Sequence, residues 1–93
     1  MDDLDELLRA LAHPARRAIL QQCTGCWVAA GDLVEELGLA PATVSEHLRV
    51  LRKTGLVELQ VEGTWRRYKT RPRVLDAAVR ELGKLLPERT SRR

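Results

Sequence analysis

No run of apolar residues in this sequence approaches the roughly eighteen that a membrane-crossing helix needs, so a membrane span and a membrane partner are excluded. The opening "MDDLDELL" lacks the positive charge of a secretory or mitochondrial leader, and the expectation is a cytoplasmic protein. Cysteine is scarce, with only Cys23 and Cys26 in "CTGC". A closed tetrahedral metal site needs about four ligands, and the chain supplies no other obvious soft ones. No grouping of nucleophile, base and orienting residue appears, and no enzymatic activity is expected. Internal repeats and low-complexity tracts are absent too. What remains is a 93-residue chain, the size of one small domain.

What is present is unevenly distributed. Residues 1–40 hold three arginines against seven carboxylates, whereas residues 41–93 hold thirteen cations against six anions. A basic half beside an acidic half points to an anionic partner for one face.

The apolar spacing orders the elements. Leu4, Leu7, Leu8 and Leu11 form one stripe of an amphipathic helix. Pro14 suits the first turn of a second helix, whose apolar face runs through Ile19, Leu20 and Cys23, with Gly25 as its terminator. His13, just before Pro14, is placed to cap or pack against that helix. "WVAA" reads as a short extended segment. Leu33, Val34 and Leu37 mark a third helix ending at Gly38. After the tight turn "LAP", Pro41 opens a fourth that Gly55 closes; Ala40 is a weak cap for it. The period then becomes two, with Val57, Leu59 and Val61 on one face and Arg66, Tyr68 and Thr70 alternating with Trp65, Arg67 and Lys69. This predicts a β-hairpin with its tip near Glu62–Thr64. A last helical stripe runs through Val74, Leu75, Ala78, Val79, Leu82, Leu85 and Leu86, and residues 87–93 form a frayed basic tail. The fold class is mainly α with a small β-hairpin, in the order helix, helix, short strand, helix, helix, strand, strand, helix. A helix, a tight turn and a second helix followed by a hairpin form a winged helix-turn-helix, and residues 1–86 are expected to make one such domain.

The fourth helix is unusual on its outer side. Val44, Leu48 and Leu51 point inward, and the outward positions begin with short side chains and end with cations. An α-helix fits the major groove of B-DNA, and short side chains let it approach closely. Ala42, Thr43, Ser45 and Glu46 are placed to reach bases. His47 and Arg49 serve phosphates or bases, and Arg52 and Lys53 serve the backbone. Glu46 has a second reading, as the i+3 partner of Arg49. On the hairpin, Thr64, Arg66, Arg67 and Lys69 are candidates for flanking phosphates or the minor groove. Trp65 and Tyr68 are read as packing residues.

The segments "LRALAHPARRAIL", "DLVEELGLAPATVSEHLRVLRKTGLV" and "VEGTWRRYKT" together resemble the ArsR-type winged helix-turn-helix repressors of bacteria and archaea. The likeness covers nearly the whole chain. It implies a homodimeric repressor of its own or adjacent genes, bound to an inverted-repeat operator in double-stranded DNA. It also implies a dimer interface built from the first and last helices, here Leu4, Leu7, Leu8, Leu11, Val79, Leu82, Leu85 and Leu86. Relatives that sense metal use cysteines in the third helix or Asp and His pairs in the last. "AGDLVEELG" has no cysteine and "RVLDAAVRELGKLL" no histidine, so neither site is carried over and no cofactor is expected.

Two other classes compete. Winged helices also dock proteins, but the charge split and the polar start of the fourth helix favour DNA. "CTGC" suggests a thiol oxidoreductase, which needs a strand feeding a helix that begins within the motif. Here the motif follows a helix instead. Cys23 reads as a buried apolar residue and Cys26 as more exposed; a redox switch or metal site at Cys23 and Cys26 is the alternative.

Overall fold

The structure is a computed structural model that describes residues 4–87. Asp2, Asp3 and all of the expected tail except Pro87 lie outside the described residues. Five helices and three strands follow the expected order: α1 (Leu4–Leu11), α2 (Pro14–Gln22), β1 (Val28–Ala29), α3 (Ala30–Leu37), α4 (Pro41–Lys53), β2 (Val57–Glu62), β3 (Trp65–Thr70) and α5 (Pro72–Gly83). Among these elements no helix is long and apolar enough to cross a membrane.

Proline and glycine set most of the boundaries. Pro14, Pro41 and Pro72 each occupy the first turn of a helix, where a missing N–H leaves no hydrogen bond unmade. The weak cap at Ala40 does not displace α4. Ala40 is extended, and its carbonyl accepts the Val44 N–H at 3.1 Å. The other end of α4 closes with a Schellman motif. The Leu56 N–H donates to the Leu51 carbonyl at 2.9 Å, and the Gly55 N–H donates to the Arg52 carbonyl at 3.0 Å. Gly55 has φ +82°, a conformation that an L side chain resists. Leu51 and Leu56, brought together by this turn, are both fully buried.

The core joins all the elements. Leu7 and Ala10 of α1, Ile19 and Leu20 of α2, Leu33 of α3, Val44, Leu48 and Leu51 of α4, and Ala78 of α5 enclose it with Val57 and Tyr68. The sheet has the order β1-β3-β2 and is antiparallel throughout. The alternation reading of the hairpin matches the register, in which Val57 faces Thr70, Leu59 faces Tyr68 and Val61 faces Arg66. The short extended segment becomes a third strand, pairing Val28 with Tyr68 and Ala29 with Arg67. Thr70 is the one buried polar side chain among the described residues, and its hydroxyl donates to the Leu20 carbonyl at 2.7 Å. The bond ties the base of the hairpin to the end of α2.

The last helix is shorter than its leucine stripe suggests. It ends at Gly83, and Leu85 and Leu86 continue in a tightened turn with bonds to the carbonyls of Leu82 and Gly83. Glycine is a weak helix former, and Pro87 disfavours helical geometry at Leu86. Leu85 is therefore off the helical stripe and strongly exposed.

Candidate nucleic-acid interface

α3 and α4 meet through Gly38, Leu39 and Ala40. Gly38 takes φ +66° and its N–H closes α3 on the Val34 carbonyl at 3.0 Å. This tight turn seats α4 on α2 and α3 through Val44, Leu48 and Leu51. With the apolar side consumed by the core, Ala42, Thr43, Ser45, Glu46, Arg49, Arg52 and Lys53 all lie exposed on the other. No side chain caps α4. Its first-turn N–H groups stand free at the positive end of the helix dipole, where phosphate is favoured.

The charged residues of this face differ in what holds them. Glu46 and Arg49 form an ion pair at 2.6 Å, the i+3 pairing that was one of the two readings of Glu46. The guanidinium hydrogen bond holds the Glu46 carboxyl below its ordinary range and raises Arg49 in return. Arg52 and Lys53 have no ion-pair partner among the described residues, and with Arg49 they line a shallow basic depression.

His47 also makes a contact to another helix. It is half-buried, and its Nδ1 accepts a hydrogen bond from Arg16 Nε of α2 at 3.2 Å. The His13 ring lies 6.1 Å away. Burial, then the Arg16 and His13 charges, push the His47 pKa down. His47 is therefore a neutral, anchored imidazole and not a free cation for phosphate.

The wing turns on Gly63 and Thr64. Gly63 has φ +62° at the first central position, as a type II′ turn requires. The candidate wing residues do not share one face. Arg66 lies on the side of Val61 and Tyr68; Arg67 and Lys69 lie on the other. Arg67 sits 3.7 Å from Glu62, whereas Lys69 faces Glu58 and lies over the Trp27 ring at 5.7 Å. Lys69 belongs to the base of the hairpin, toward the core and away from the tip. Tyr68 packs in the core as expected. Trp65 does not: it is 59% exposed at the tip, because β2 and β3 run beyond the helices that would cover it. Alternation could place Trp65 on a face, but only the reach of the hairpin past the core shows that the face is open.

The other candidate sites separate similarly. Leu7 is buried inside its own chain, so it is a core residue and not an interface one. Leu4, Leu8 and Leu11 are half-buried, and Val79, Leu82, Leu85 and Leu86 are exposed. Cys23 is fully buried, and burial followed by Cys26 raises its pKa to about 11. A thiol held protonated is a poor nucleophile and a poor metal ligand. Cys26 is exposed and its sulfur lies 3.6 Å from the Gln22 carbonyl. Among the described residues no group of three or more His, Cys, Asp or Glu is placed to hold a metal.

A helix-turn-helix whose second helix bares a polar face, followed by an antiparallel wing, defines a winged helix-turn-helix protein. A family model described as a helix-turn-helix domain matches residues 11–60. An uncharacterised helix-turn-helix-type transcriptional regulator of Methanocaldococcus jannaschii is 32% identical over 84 residues, spanning 89% of this chain and 90% of that one. A transcriptional repressor of Bacillus subtilis is 25% identical over 76 residues, spanning 82% and 84%. An ArsR-like transcriptional regulator from Rhodococcus superposes with a TM-score of 0.78 at 27% identity, covering 88% of this chain and 77% of that one. The chain belongs to the ArsR-type winged helix-turn-helix family of DNA-binding transcriptional regulators.

Proposed function

We propose that the chain is a homodimeric, cytoplasmic repressor that reads an inverted-repeat operator, with α4 in the major groove and the tip of the wing on the flanking DNA. The observation that carries this reading is the outward face of α4. It has no role in the core, begins with small side chains and free backbone N–H groups, and ends in Arg52 and Lys53. Ala42, Thr43 and Ser45 reach bases; Arg52 and Lys53 hold phosphates. Glu46 and Arg49 enter the groove as a pair that must open before either contacts a base. At the wing, Thr64, Trp65 and Arg66 are the contacting residues, with Arg67 beside them.

The dimer rests on α5. Val79 and Leu82 are exposed on a helix whose only fully buried residue is Ala78, and Leu4, Leu8 and Leu11 of α1 stand half-covered. A second copy covers these groups and sets two α4 helices about 34 Å apart, one turn of DNA. Repression follows from occupancy of a promoter, and the reading carries no catalytic step.

Fluorescence anisotropy with duplexes selected from a random-sequence pool, repeated across salt concentrations, tests the reading. Enriched inverted repeats bound with a steep salt slope are expected. Binding that is indifferent to sequence and salt would sink it.

A further inference from the structure

Arg16 lies outside the helix-turn-helix, yet it is the residue that holds the one imidazole of α4. Its Nε–H donates to His47 Nδ1 at 3.2 Å, and its Nη1 reaches the Arg9 carbonyl at the end of α1 at 3.5 Å. The guanidinium is thus anchored at both ends. Arginine keeps its proton at all accessible pH and has no acceptor atom. The atom facing it on His47 must accept, so Nδ1 carries no proton, and the neutral ring carries its hydrogen on Nε2. No hydrogen-bond partner is found for that N–H among the described residues.

We infer that Arg16 is a positioning residue for DNA recognition: it locks His47 as the neutral Nε2–H tautomer, a donor aimed at an acceptor on the DNA. The inference rests on α4 facing DNA. A fixed donor pairs with a phosphate oxygen, guanine O6 or N7, adenine N7 or thymine O4, and is refused by the cytosine N4 amine. A freely turning imidazole would offer either nitrogen and make no such choice.

The surroundings on balance keep the ring neutral, burial first and then the Arg16 and His13 charges. Arg16 on α2 and His13 at the N-cap of that helix both oppose a charge on His47. α4 contributes Glu46, which works in the opposite sense and raises the His47 pKa, but its carboxylate is paired with Arg49 and the lowering influences prevail. On α1, Arg9 is held by Glu6 at 2.8 Å. An imidazolium would turn an N–H toward the Arg16 N–H, and the bond to α2 would be lost. The wild-type contact to DNA is therefore independent of pH down to the point where His47 protonates.

Imidazole nitrogen NMR on the full chain without DNA reads the tautomer directly. The wild type should show His47 protonated at Nε2 only, with a titration midpoint below that of an ordinary histidine. Arg16→Leu should mix the tautomers and raise the midpoint, while Arg16→Lys, which keeps a donor, should restore most of both. A wild-type ring protonated at Nδ1, or an Arg16→Leu variant that is folded by circular dichroism with tautomer and midpoint unchanged, overturns the inference. The second arm measures affinity for the duplex selected above, in a His13→Gln background that removes the neighbouring imidazole. Arg16→Leu and His47→Ala should each weaken binding about tenfold, and the double variant no further, because both remove one contact. The affinity of Arg16→Leu should rise as pH falls, as the released ring gains charge, whereas that of the parent stays level. Effects that multiply in the double variant overturn the coupling. Failure of any duplex to be enriched instead removes the DNA reading, and the tautomer result stands apart from it.

Discussion

α4 and α5 are both amphipathic, and they end in opposite conditions. α4 buries Val44, Leu48 and Leu51 within its own chain and shows a polar face outward. α5 buries only Ala78 completely and leaves Val79 58% exposed and Leu82 40% exposed. The first helix is complete within the protomer, and its exposed side is free to serve a ligand. The second carries apolar surface that one chain of this size has no core to cover. Apolar periodicity marks a buried face in both, but it does not say whether the same chain or another copy does the burying.

The strongest way to test that contrast is to damage each apolar stripe in turn. Leu48→Ala should destabilise the fold by about 2–5 kcal/mol in urea unfolding, because Leu48 is buried and its truncation leaves a cavity that the core fills only in part. Val79→Glu together with Leu82→Glu should leave the monomer folded. Sedimentation should then find a monomer at micromolar concentration, and operator affinity should drop about a hundredfold as two-site binding is lost. If the double variant stayed a dimer, α5 would not be the interface.

A smaller effect separates the tip of the wing from its base. Arg66→Ala should weaken binding to all duplexes and lower the salt slope by about one unit. Lys69→Ala should change neither, because it lies at the base of the hairpin, over Trp27 and opposite Glu58. Equal salt slopes for the two variants would remove the distinction.

The smallest effect concerns pH. The His47 pKa is depressed by burial and by Arg16, so the unfolded chain binds the proton more readily than the folded one. Stability should be at its full value above the unfolded pKa of about 6.5 and decline as pH falls through the lower folded value. The slope should flatten in His47→Gln, as read by urea midpoints over that range.

Much of the fold was legible because its signals are local. Pro14, Pro41 and Pro72 open helices, Gly38 and Gly55 take the positive φ that ends them, and the change to period two between Val57 and Thr70 marks the hairpin. The outward set of α4 follows from the same periodicity. The sequence reading of the wing was right about faces and incomplete about depth. It placed Tyr68 and Trp65 on opposite sides, but it could not show that the hairpin outruns the helices and leaves Trp65 bare. Leu7 shared one stripe with Leu4, Leu8 and Leu11, yet it alone among these leucines is buried by its own chain.

The sequence by itself determined the element order, the turn positions, the membership of each face and the basic character of the second half, since each depends on residues close together in the chain. The tertiary structure decided which contacts those faces make. Arg16 meets His47 across 31 positions, Thr70 reaches the Leu20 carbonyl across 50, and β1 joins the sheet through Tyr68. Each of these polar pairings depends on where packing of the apolar core brings the α2, α4 and hairpin backbones. Periodicity along one segment carries no information about the distance to another.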